Sequence, residues 1–297
     1  MAGSVAIVSI ADVKGKLGGI GREGMLFAKP FPLDPGPGAP GMEFDWVSYG
    51  ADYGTPRHRH TFQQFRYVLQ GRRDIKGGVL GEGDCAYYPE GVHYGPQAQT
   101  APMIGLGLQF EGDSGIPYLT HDNLHAARNK LKEEGGTFSQ GIYTRVMPDG
   151  NKINKDGHAA CFEAITGRKM EFPEARYETP VVVRPASFSW VPDAHLSGVE
   201  HKHLGTFGER RSAMGIMRLA AGTRVPAHRQ EIAKIMYVTN GSITYQGKTW
   251  RGGNTDVDGT YLFLPHGSDV GEIGSETGAS FFVIALPMLG GKHLGTV

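Results

Sequence analysis

The chain has 297 residues, a mass of 32.1 kDa and 30 basic against 30 acidic side chains, and its isoelectric point is about 7.2. This length suits two domains of ordinary size, each able to bury a core. The balanced charge gives no electrostatic footprint for nucleic acid or an anionic membrane, so we expect a small molecule as the partner and neither of those two.

The chain has 45 glycines and 18 prolines. They separate short runs of β-branched and aromatic residues, and the runs do not recur with a fixed period. This pattern predicts an all-β chain of many short strands joined by tight turns. The apolar run at residues 5–11 is too short for a signal sequence and is not preceded by a basic residue, so it predicts a strand. Two well-separated cysteines, Cys85 and Cys161, do not suggest a disulfide scaffold, and no apolar run reaches the ~20 residues that span a bilayer. We therefore expect a cytoplasmic protein.

Along the chain, the prolines and glycines of FPLDPGPGAPG indicate an irregular loop before the strand FDWVSYG. A first β-domain, residues 1–118, is followed by a connector at residues 119–178. Strand-like text resumes at VVVRP and defines a second β-domain, residues 179–297.

The connector is predicted to hold two short helices. Leu124, Ala127 and Leu131 recur at helical spacing within residues 120–134, with Asp122 as a capping residue. A second helix is predicted over residues 157–166. Asp156 is its expected cap, and Phe162 and Ile165 its expected buried side chains.

The most informative segment is residues 54–94, which read GTPRHRHTFQQFRYVLQG and, after a step, GDCAYYPEGVHYG. His58, His60 and Gln64 share one parity, so on a single strand they point to the same face. Three nitrogen or oxygen donors that converge inside a small β-barrel are suited to a divalent metal.

This segment recurs in degraded form near the C-terminus. A shift of 170 residues places Gly71 on Gly241, and a shift of 176 places Gly91 on Gly267. The first shift also matches His58, His60 and Gln64 with His228, Gln230 and Lys234, and the second matches Gly83 and Pro89 with Gly259 and Pro265. Two matched motifs in the same order predict an internal duplication.

The two motifs resemble those of the cupin superfamily, G-x5-HxH-x3,4-E-x6-G followed by G-x5-PxG-xx-H. The first matches closely except that Gln64 stands where the family has glutamate. The resemblance covers about two-thirds of the chain and implies a bicupin: two cupin-type β-barrels of the double-stranded β-helix or jelly-roll type, joined by a short helical connector.

The resemblance implies a metal held by His58, His60 and, in or near the same shell, Gln64. A neutral amide oxygen is a poorer ligand than a carboxylate, so Gln64 is alternatively a hydrogen-bonding group for a substrate or a ligating water. The family's last histidine falls on Tyr94, with His93 one residue early. Either His93 completes a three-histidine site, or Tyr94 contributes a phenolic hydroxyl and acts as a proton donor or acceptor.

Arg66 shares the parity of His58 and His60, and a cation inside a barrel is costly unless it is paired. Either Arg66 anchors an anionic substrate with its planar fork, or it pairs with a structural carboxylate near the barrel mouth.

The second barrel retains His228 and Gln230, but Lys234 occupies the ligand position and opposes a divalent cation. Pairing of Lys234 with Asp269 or with an acidic ligand is the expected alternative. We predict a structural barrel or a ligand pocket around these side chains rather than a metal site.

The resemblance implies a metal-dependent enzyme in the N-terminal barrel, and among bicupins dioxygenases, decarboxylases, isomerases and epimerases. We expect one divalent transition metal per chain, with Fe(II) slightly favoured over Mn, Ni or Zn. A dioxygenase-like oxidoreductase is the leading hypothesis, and a non-catalytic ligand-binding or sensor bicupin is the rival. Association into a homodimer or higher homo-oligomer is common in the family and would cover exposed strand edges.

Overall fold

The structure, a computed structural model, describes residues 3–17, 24–75, 78–139 and 141–290. The strands before the connector are β1 (Ala6–Ser9), β2 (Lys16–Leu17), β3 (Leu26–Pro30), β4 (Met42–Tyr49), β5 (Gly54–Thr55), β6 (Phe62–Gln70), β7 (Arg73–Ile75), β8 (Gly78–Leu80), β9 (Cys85–Tyr88), β10 (Gln97–Ala98) and β11 (Met103–Glu111). The connector contains α1 (His121–Glu133), β12 (Gly136–Ser139), β13 (Ile142–Val146), β14 (Lys152–Asp156) and α2 (Gly157–Thr166).

The strands after the connector are β15 (Val181–Val183), β16 (Val191–Pro192), β17 (Val199–Phe207), β18 (Ser212–Leu219), β19 (Thr223–Val225), β20 (His228–Arg229), β21 (Ala233–Tyr245), β22 (Lys248–Arg251), β23 (Thr260–Leu264), β24 (Asp269–Val270), β25 (Ile273–Ser275) and β26 (Ala279–Leu286). Short 3₁₀ helices lie at Ile10–Asp12, Pro185–Ser187 and Pro287–Gly290. The predicted all-β class is confirmed, and the helices of the described residues are too short or too polar to cross a membrane.

Two antiparallel sheets form the body of the molecule. One has the strand order β15-β9-β6-β11-β4-β3-β2 and the other β1-β23-β21-β26-β18-β17-β16. The first strand of the chain, β1, therefore belongs to the C-terminal sheet, and β15, which follows the connector, pairs with β9 of the N-terminal sheet. Because each half lends a strand to the other, the halves interlock.

The duplication is visible in the backbone of both barrels. Gly91 and Gly267 adopt φ of +75° and +72°, a conformation that favours glycine. The Gly91 N–H donates to the His60 carbonyl at 2.8 Å, and the Gly267 N–H donates to the Gln230 carbonyl at 2.7 Å. The two motifs thus fold in the same way in the two halves.

A shared apolar core lies between the two sheets, where Phe44 and Phe65 of one half meet Tyr237 and Phe282 of the other. The interior of the C-terminal barrel is a second core. It is filled by apolar side chains that include Met236, Val238, Leu262, Leu264 and Phe281. The interior of the N-terminal barrel holds an apolar cluster that includes Val47, Val68 and Met103, and a cavity beside it.

The connector differs from its prediction in three details. The side chain of Thr120, rather than Asp122, caps α1 by accepting the Asn123 N–H. Helix α2 has the predicted bounds and the Asp156 cap, but Ile165 is 41% exposed because it lies on the outer face of the helix. The antiparallel sheet β12-β13-β14 between the helices was not predicted.

The predicted single strand carrying His58 to Gln64 is also wrong. Strand β6 begins at Phe62, and His58 lies before it in an isolated antiparallel bridge to Tyr94. The parity argument therefore does not reach the histidines. Their positions follow from this bridge and from the turn between residues 58 and 62.

Candidate functional site

The candidate site is a cavity of about 550 Å³ inside the N-terminal barrel. Its wall is built from the inward faces of β4, β6 and β11, and the connector helices close over it. The carboxylate of Glu43 on β4 holds the connector in place, because it accepts hydrogen bonds from the Tyr118 hydroxyl at 2.8 Å and the His121 N–H at 2.9 Å.

The alternation of side chains along β4 explains which residues reach the cavity. Phe44 and Trp46 point into the core between the sheets, whereas Asp45, Val47 and Tyr49 line the cavity. The same alternation on β6 sends Phe65 to the shared core and Arg66 to the cavity.

His58 and His60 stand together at one end of the cavity. Their ring centroids are 4.9 Å apart, with the planes at 83°. The Nδ1 of His58 lies 2.7 Å from the carbonyl oxygen of Pro56 and 3.0 Å from the Thr55 hydroxyl. Because a carbonyl only accepts, this contact assigns a proton to Nδ1. In the neutral ring the lone pair is then on Nε2, the tautomer that a metal ligand needs.

Of the two alternatives at positions 93 and 94, the structure places Tyr94 beside the histidines. Its ring lies 4.4 Å from that of His58 and 5.7 Å from that of His60, and its side chain is 8% exposed. His93 is exposed and borders the cavity at its outer edge. Partial desolvation, followed by the charges of Arg57 and Arg59, lowers the pKa of His93.

Gln64 lies beneath the cavity and links two of its neighbours. Its side-chain amide donates to the Tyr94 hydroxyl at 2.9 Å, while its carbonyl oxygen accepts from Arg66 Nε at 3.1 Å and Nη2 at 2.5 Å. This oxygen, the atom that would have to bind a metal, therefore faces a guanidinium. The geometry favours Gln64 as the residue that orients Tyr94 and Arg66.

Arg66 points its guanidinium into the cavity between neutral groups. Nη1 donates to the Tyr49 hydroxyl at 2.6 Å, and no salt bridge joins Arg66 to a carboxylate of the described residues. Arg73, which is 3% exposed, lies 4.3 Å over the ring of Tyr49. Burial raises the pKa of Tyr49, but the two guanidiniums outweigh burial and lower the pKa below its ordinary value.

Asp45 is a site residue that the sequence did not single out. It is 1% exposed, its Oδ1 has no hydrogen-bond partner among the described residues, and it lines the cavity. Burial, with help from Glu43, raises the pKa of Asp45 to about 7, although Lys16 and Arg66 oppose the shift. The only local feature that could have identified Asp45 was an aspartate within the otherwise apolar strand sequence FDWV.

The cavity wall carries an excess of positive charge within the part of the chain that the structure describes. Its cations are Lys16, Arg57, Arg59, Arg66, Arg73 and Arg128, against the carboxylates Asp45 and Asp156. Lys16 is already paired with Asp122 at 2.5 Å. The positive charge of the other cavity-wall arginines favours an anionic ligand.

The connector adds imidazoles that the sequence analysis did not identify. His121, His125 and His158 line the cavity from α1 and α2. The ring of His158 lies 6.3 Å from that of His60. No local pattern marks these residues, because their approach to the barrel depends on how the connector folds back.

The fit of a metal rests on the two imidazoles. Rings 4.9 Å apart can place one nitrogen each about 2.1 Å from a shared ion. No group of three His, Cys, Asp or Glu side chains in the described ranges is arranged to hold a metal. The donor set that fits is therefore two imidazoles with neutral oxygens such as the Tyr94 phenol or water.

The second-barrel residues differ in burial: His228 is exposed, Gln230 is buried and Lys234 is partly buried. His228 is exposed, and its ring contacts the Pro226 carbonyl at 3.0 Å and Gln230 Oε1 at 3.1 Å. Burial lowers the pKa of the partly buried Lys234. Asp269 pairs with Arg229 at 3.4 Å, so the predicted pairing of Lys234 with Asp269 is wrong.

Comparison with known proteins gives the following likenesses. Residues 178–289 match the family model of the ChrR cupin-like domain. A search of curated proteins found no match. Among solved structures, a candidate dioxygenase from Nostoc punctiforme superposes with a TM-score of 0.63 at 12% identity, covering 97% of this chain and 85% of that one.

Two further solved structures resemble the whole chain. The oxalate decarboxylase of Bacillus subtilis, whose structure has Mn(II) centres, gives a TM-score of 0.54 at 14% identity, covering 96% of this chain and 78% of that one. A candidate glyoxylate-induced protein from Pseudomonas aeruginosa gives 0.57 at 11% identity, covering 99% and 92%. At these identities the likeness describes the fold.

Proposed function

We propose that the chain is a bicupin and that its N-terminal barrel is the reaction chamber of a metal-dependent enzyme for a small anionic or aromatic molecule. The observation that carries the proposal is the contrast between the barrels. One encloses a cavity of about 550 Å³ with imidazoles and cations on its wall, and the other is packed with apolar side chains.

His58 and His60 would hold one divalent transition metal, Fe(II) slightly ahead of Mn, Ni or Zn because imidazole ligands with open positions suit it. The Mn(II) centres of the B. subtilis oxalate decarboxylase support a metal in this fold. When bound, the metal would supply a Lewis acid for a substrate oxygen. Gln64 is left out of the ligand set because its carbonyl oxygen faces Arg66. His93 is left out because it is an exposed residue of the cavity border, and among the described residues the ring packed against His58 and His60 is that of Tyr94.

Arg66 would bind the anionic group of the substrate. Its charge is not neutralised by a carboxylate of the described residues, and Gln64 and Tyr49 fix its orientation. The aromatic walls, with Phe62 and Tyr53 beside Tyr94, would accept an apolar or aromatic remainder.

A dioxygenase-like oxidoreductase is our leading assignment, supported by the fold of the Nostoc protein. Tyr94 would donate or accept a proton, because its phenol lies beside both imidazoles. A decarboxylase or isomerase is the second candidate. It is favoured by Asp45, a buried carboxyl with a pKa of about 7 on the cavity wall.

The test combines metal content with ligand binding. We expect purified protein to hold up to one metal per chain, and to bind phenylacetate in isothermal titration. Arg66→Leu should weaken phenylacetate binding at least about tenfold and leave metal content unchanged, because a charge-assisted hydrogen bond is lost. Arg224→Leu, which removes an exposed arginine of the second barrel, is the matched control.

Turnover separates the reaction classes. Uptake of dioxygen by Fe(II)-loaded protein with a panel of aromatic acids supports the oxidoreductase, whereas release of CO2 or rearrangement without uptake supports the second candidate. Binding without turnover would instead make the chain a ligand-binding or sensor bicupin. A protein that takes up no metal and is indifferent to chelator would contradict the enzyme.

We also propose a cytoplasmic homodimer or larger homo-oligomer. Within the described residues the two large sheets end in the short outer strands β2 and β16, and another copy would pair with these edges. Light scattering of the full chain would measure its mass, and a monomer would contradict this assignment.

A further inference from the structure

A gap in the barrel wall separates the buried carboxyl group of Asp45 from the guanidinium of Arg66. Asp45 on β4 pairs with Gly107 on β11, and Gly107 pairs with Arg66 on β6. Neighbouring strands are about 4.8 Å apart, so the two side chains rise from backbones about 10 Å apart. Gly107 has no side chain, and a Cβ built there meets only Arg66 Nη1, at 4.0 Å. We call the space over Gly107 the Gly107 gap.

The Asp45 side chain is buried without the polar contacts that usually stabilise a carboxyl group. It forms no salt bridge within the described residues, and its Oδ1 lacks a hydrogen-bond donor there. On the other side of β4, Asp45 pairs with Pro30 of β3, whose side chain offers no hydrogen-bond donor. A buried polar group left without a partner costs about 1–3 kcal/mol, so a purely structural role would make this side chain a liability.

We propose that Asp45 exchanges a proton with a ligand whose anionic group is held by Arg66, the two side chains meeting the ligand from opposite sides of the Gly107 gap. This inference rests on the proposed function and narrows the substrate class to a small carboxylate with a hydroxyl group next to it. Asp45 is then a catalytic residue, and Arg66 the binding residue opposite it.

The proton transfer balances without a co-reactant. The hydroxyl O–H bond of the ligand breaks, the proton forms an O–H bond on the Asp45 carboxylate, and the electron pair stays on the ligand oxygen. The proton returns to the ligand or product in a later step, so Asp45 is regenerated.

Burial and the charges around Asp45 set its pKa for this role. Burial, Glu43 on the same strand and Asp122 on α1 raise the pKa of Asp45, while Lys16 on β2 and Arg66 on β6 lower it. The Tyr118 phenol, whose own pKa is raised by burial and by Glu43, also faces this region. The result is a carboxyl that is partly protonated near neutral pH, where an acid–base group works best.

The first arm of the test needs no substrate. The ¹³C resonance of the Asp45 carboxyl, identified by its loss in Asp45→Asn, is followed with pH in the full chain. We expect a midpoint near neutral pH, against about 4 for an ordinary aspartate. A midpoint near 4 overturns the proposal.

The second arm compares mandelate with phenylacetate, which differ only in the hydroxyl next to the carboxylate. As Asp45 ionises, it repels both anions but gains a hydrogen bond from the mandelate hydroxyl. We therefore expect the ratio of mandelate to phenylacetate affinity to rise several-fold from pH 6 to pH 8. Titrating histidines affect both ligands alike and cancel in the ratio.

Two variants decide what the ratio means. In Asp45→Asn the ratio should stay within about twofold across this range, whereas in Asp156→Asn, which changes an exposed cavity-wall carboxylate, it should rise as in the wild type. A flat ratio in the wild type, or a rise that survives Asp45→Asn, overturns the role of Asp45. Failure of both acids to bind the wild type is a different result, because it contradicts the proposed anion site itself.

Discussion

His58 and His228 make the same hydrogen bond in the two barrels. In each ring Nδ1 donates to the carbonyl oxygen of the proline two residues earlier, Pro56 at 2.7 Å and Pro226 at 3.0 Å. The surroundings differ: His58 lines the cavity next to His60, whereas His228 is exposed next to Gln230. The two halves thus share the local geometry, and the N-terminal half places a second imidazole, that of His60, beside the first.

These matched histidines give a direct test of the metal site. His58→Ala should lower the affinity for Mn(II) or Co(II) by at least about tenfold, because one of two imidazole donors is lost. His228→Ala should leave it unchanged. Metal retained per chain after dialysis against graded free metal measures both. Equal losses in the two variants would place the metal outside the N-terminal barrel.

The duplicated motifs could be predicted from the sequence because they depend on the backbone conformations of a few neighbouring residues. A turn at positive φ favours glycine, and Gly71 and Gly241, at +78° and +75°, mark the same turn in both halves. Whether His93 or Tyr94 lies beside the two histidines could not be predicted from the sequence. It depends on the bridge that pairs Tyr94 with His58, and such a bridge is a tertiary contact.

The rest of the site comes from distant segments. Asp45, Arg73 and His158 lie on β4, β7 and α2, and no spacing in the sequence connects them. Parity predicts which residues of one strand share a face, so it placed Arg66 correctly relative to Gln64. It says nothing about which strand, loop or helix lies opposite.

Asp45 also makes the stability of the protein depend on pH. Its pKa of about 7 in the folded state exceeds the value of 3.8 expected in the unfolded chain. Its contribution is therefore fully present below pH 4 and is lost as the pH rises to about 7, because the unfolded chain releases the proton first. Between pH 5 and pH 8 this loss is about 2–3 kcal/mol.

Asp45→Asn removes that dependence. The free energy of unfolding of the variant, relative to the wild type, should rise by about 2–3 kcal/mol from pH 5 to pH 8 in urea denaturation. Asp156→Asn keeps a good helix cap and changes only an exposed carboxylate, so its difference from the wild type should be nearly constant. A constant difference for Asp45→Asn would mean that Asp45 titrates normally.

Filling the Gly107 gap should block the ligand without harming the fold. A Cβ at Gly107 meets only Arg66 Nη1 at 4.0 Å, so Gly107→Ala is accommodated, and the branched methyls of Gly107→Val enter the gap. We expect phenylacetate affinity to fall at least about tenfold in the valine variant, with a near-normal unfolding curve.

Gly105, two residues earlier on β11, provides the opposite control. A Cβ there would lie 2.8 Å from the Tyr67 carbonyl oxygen, so Gly105→Ala forces the backbone to shift and costs stability. Unchanged phenylacetate binding in Gly107→Val would show that the ligand does not use the Gly107 gap.

The contrast between an open and a packed barrel predicts unequal costs for the same substitution. Val238 is 0% exposed within the apolar core of the second barrel, whereas Val47, at 8%, belongs to the apolar cluster of the first barrel and also borders its cavity. Val238→Ala should cost about 2 kcal/mol, because two methyl groups leave a close-packed core and a void remains. Val47→Ala should cost about 1 kcal/mol or less, because its methyls already border open space that water can enter. Urea denaturation of both variants measures the difference, and equal costs would mean that the first barrel is as tightly packed as the second.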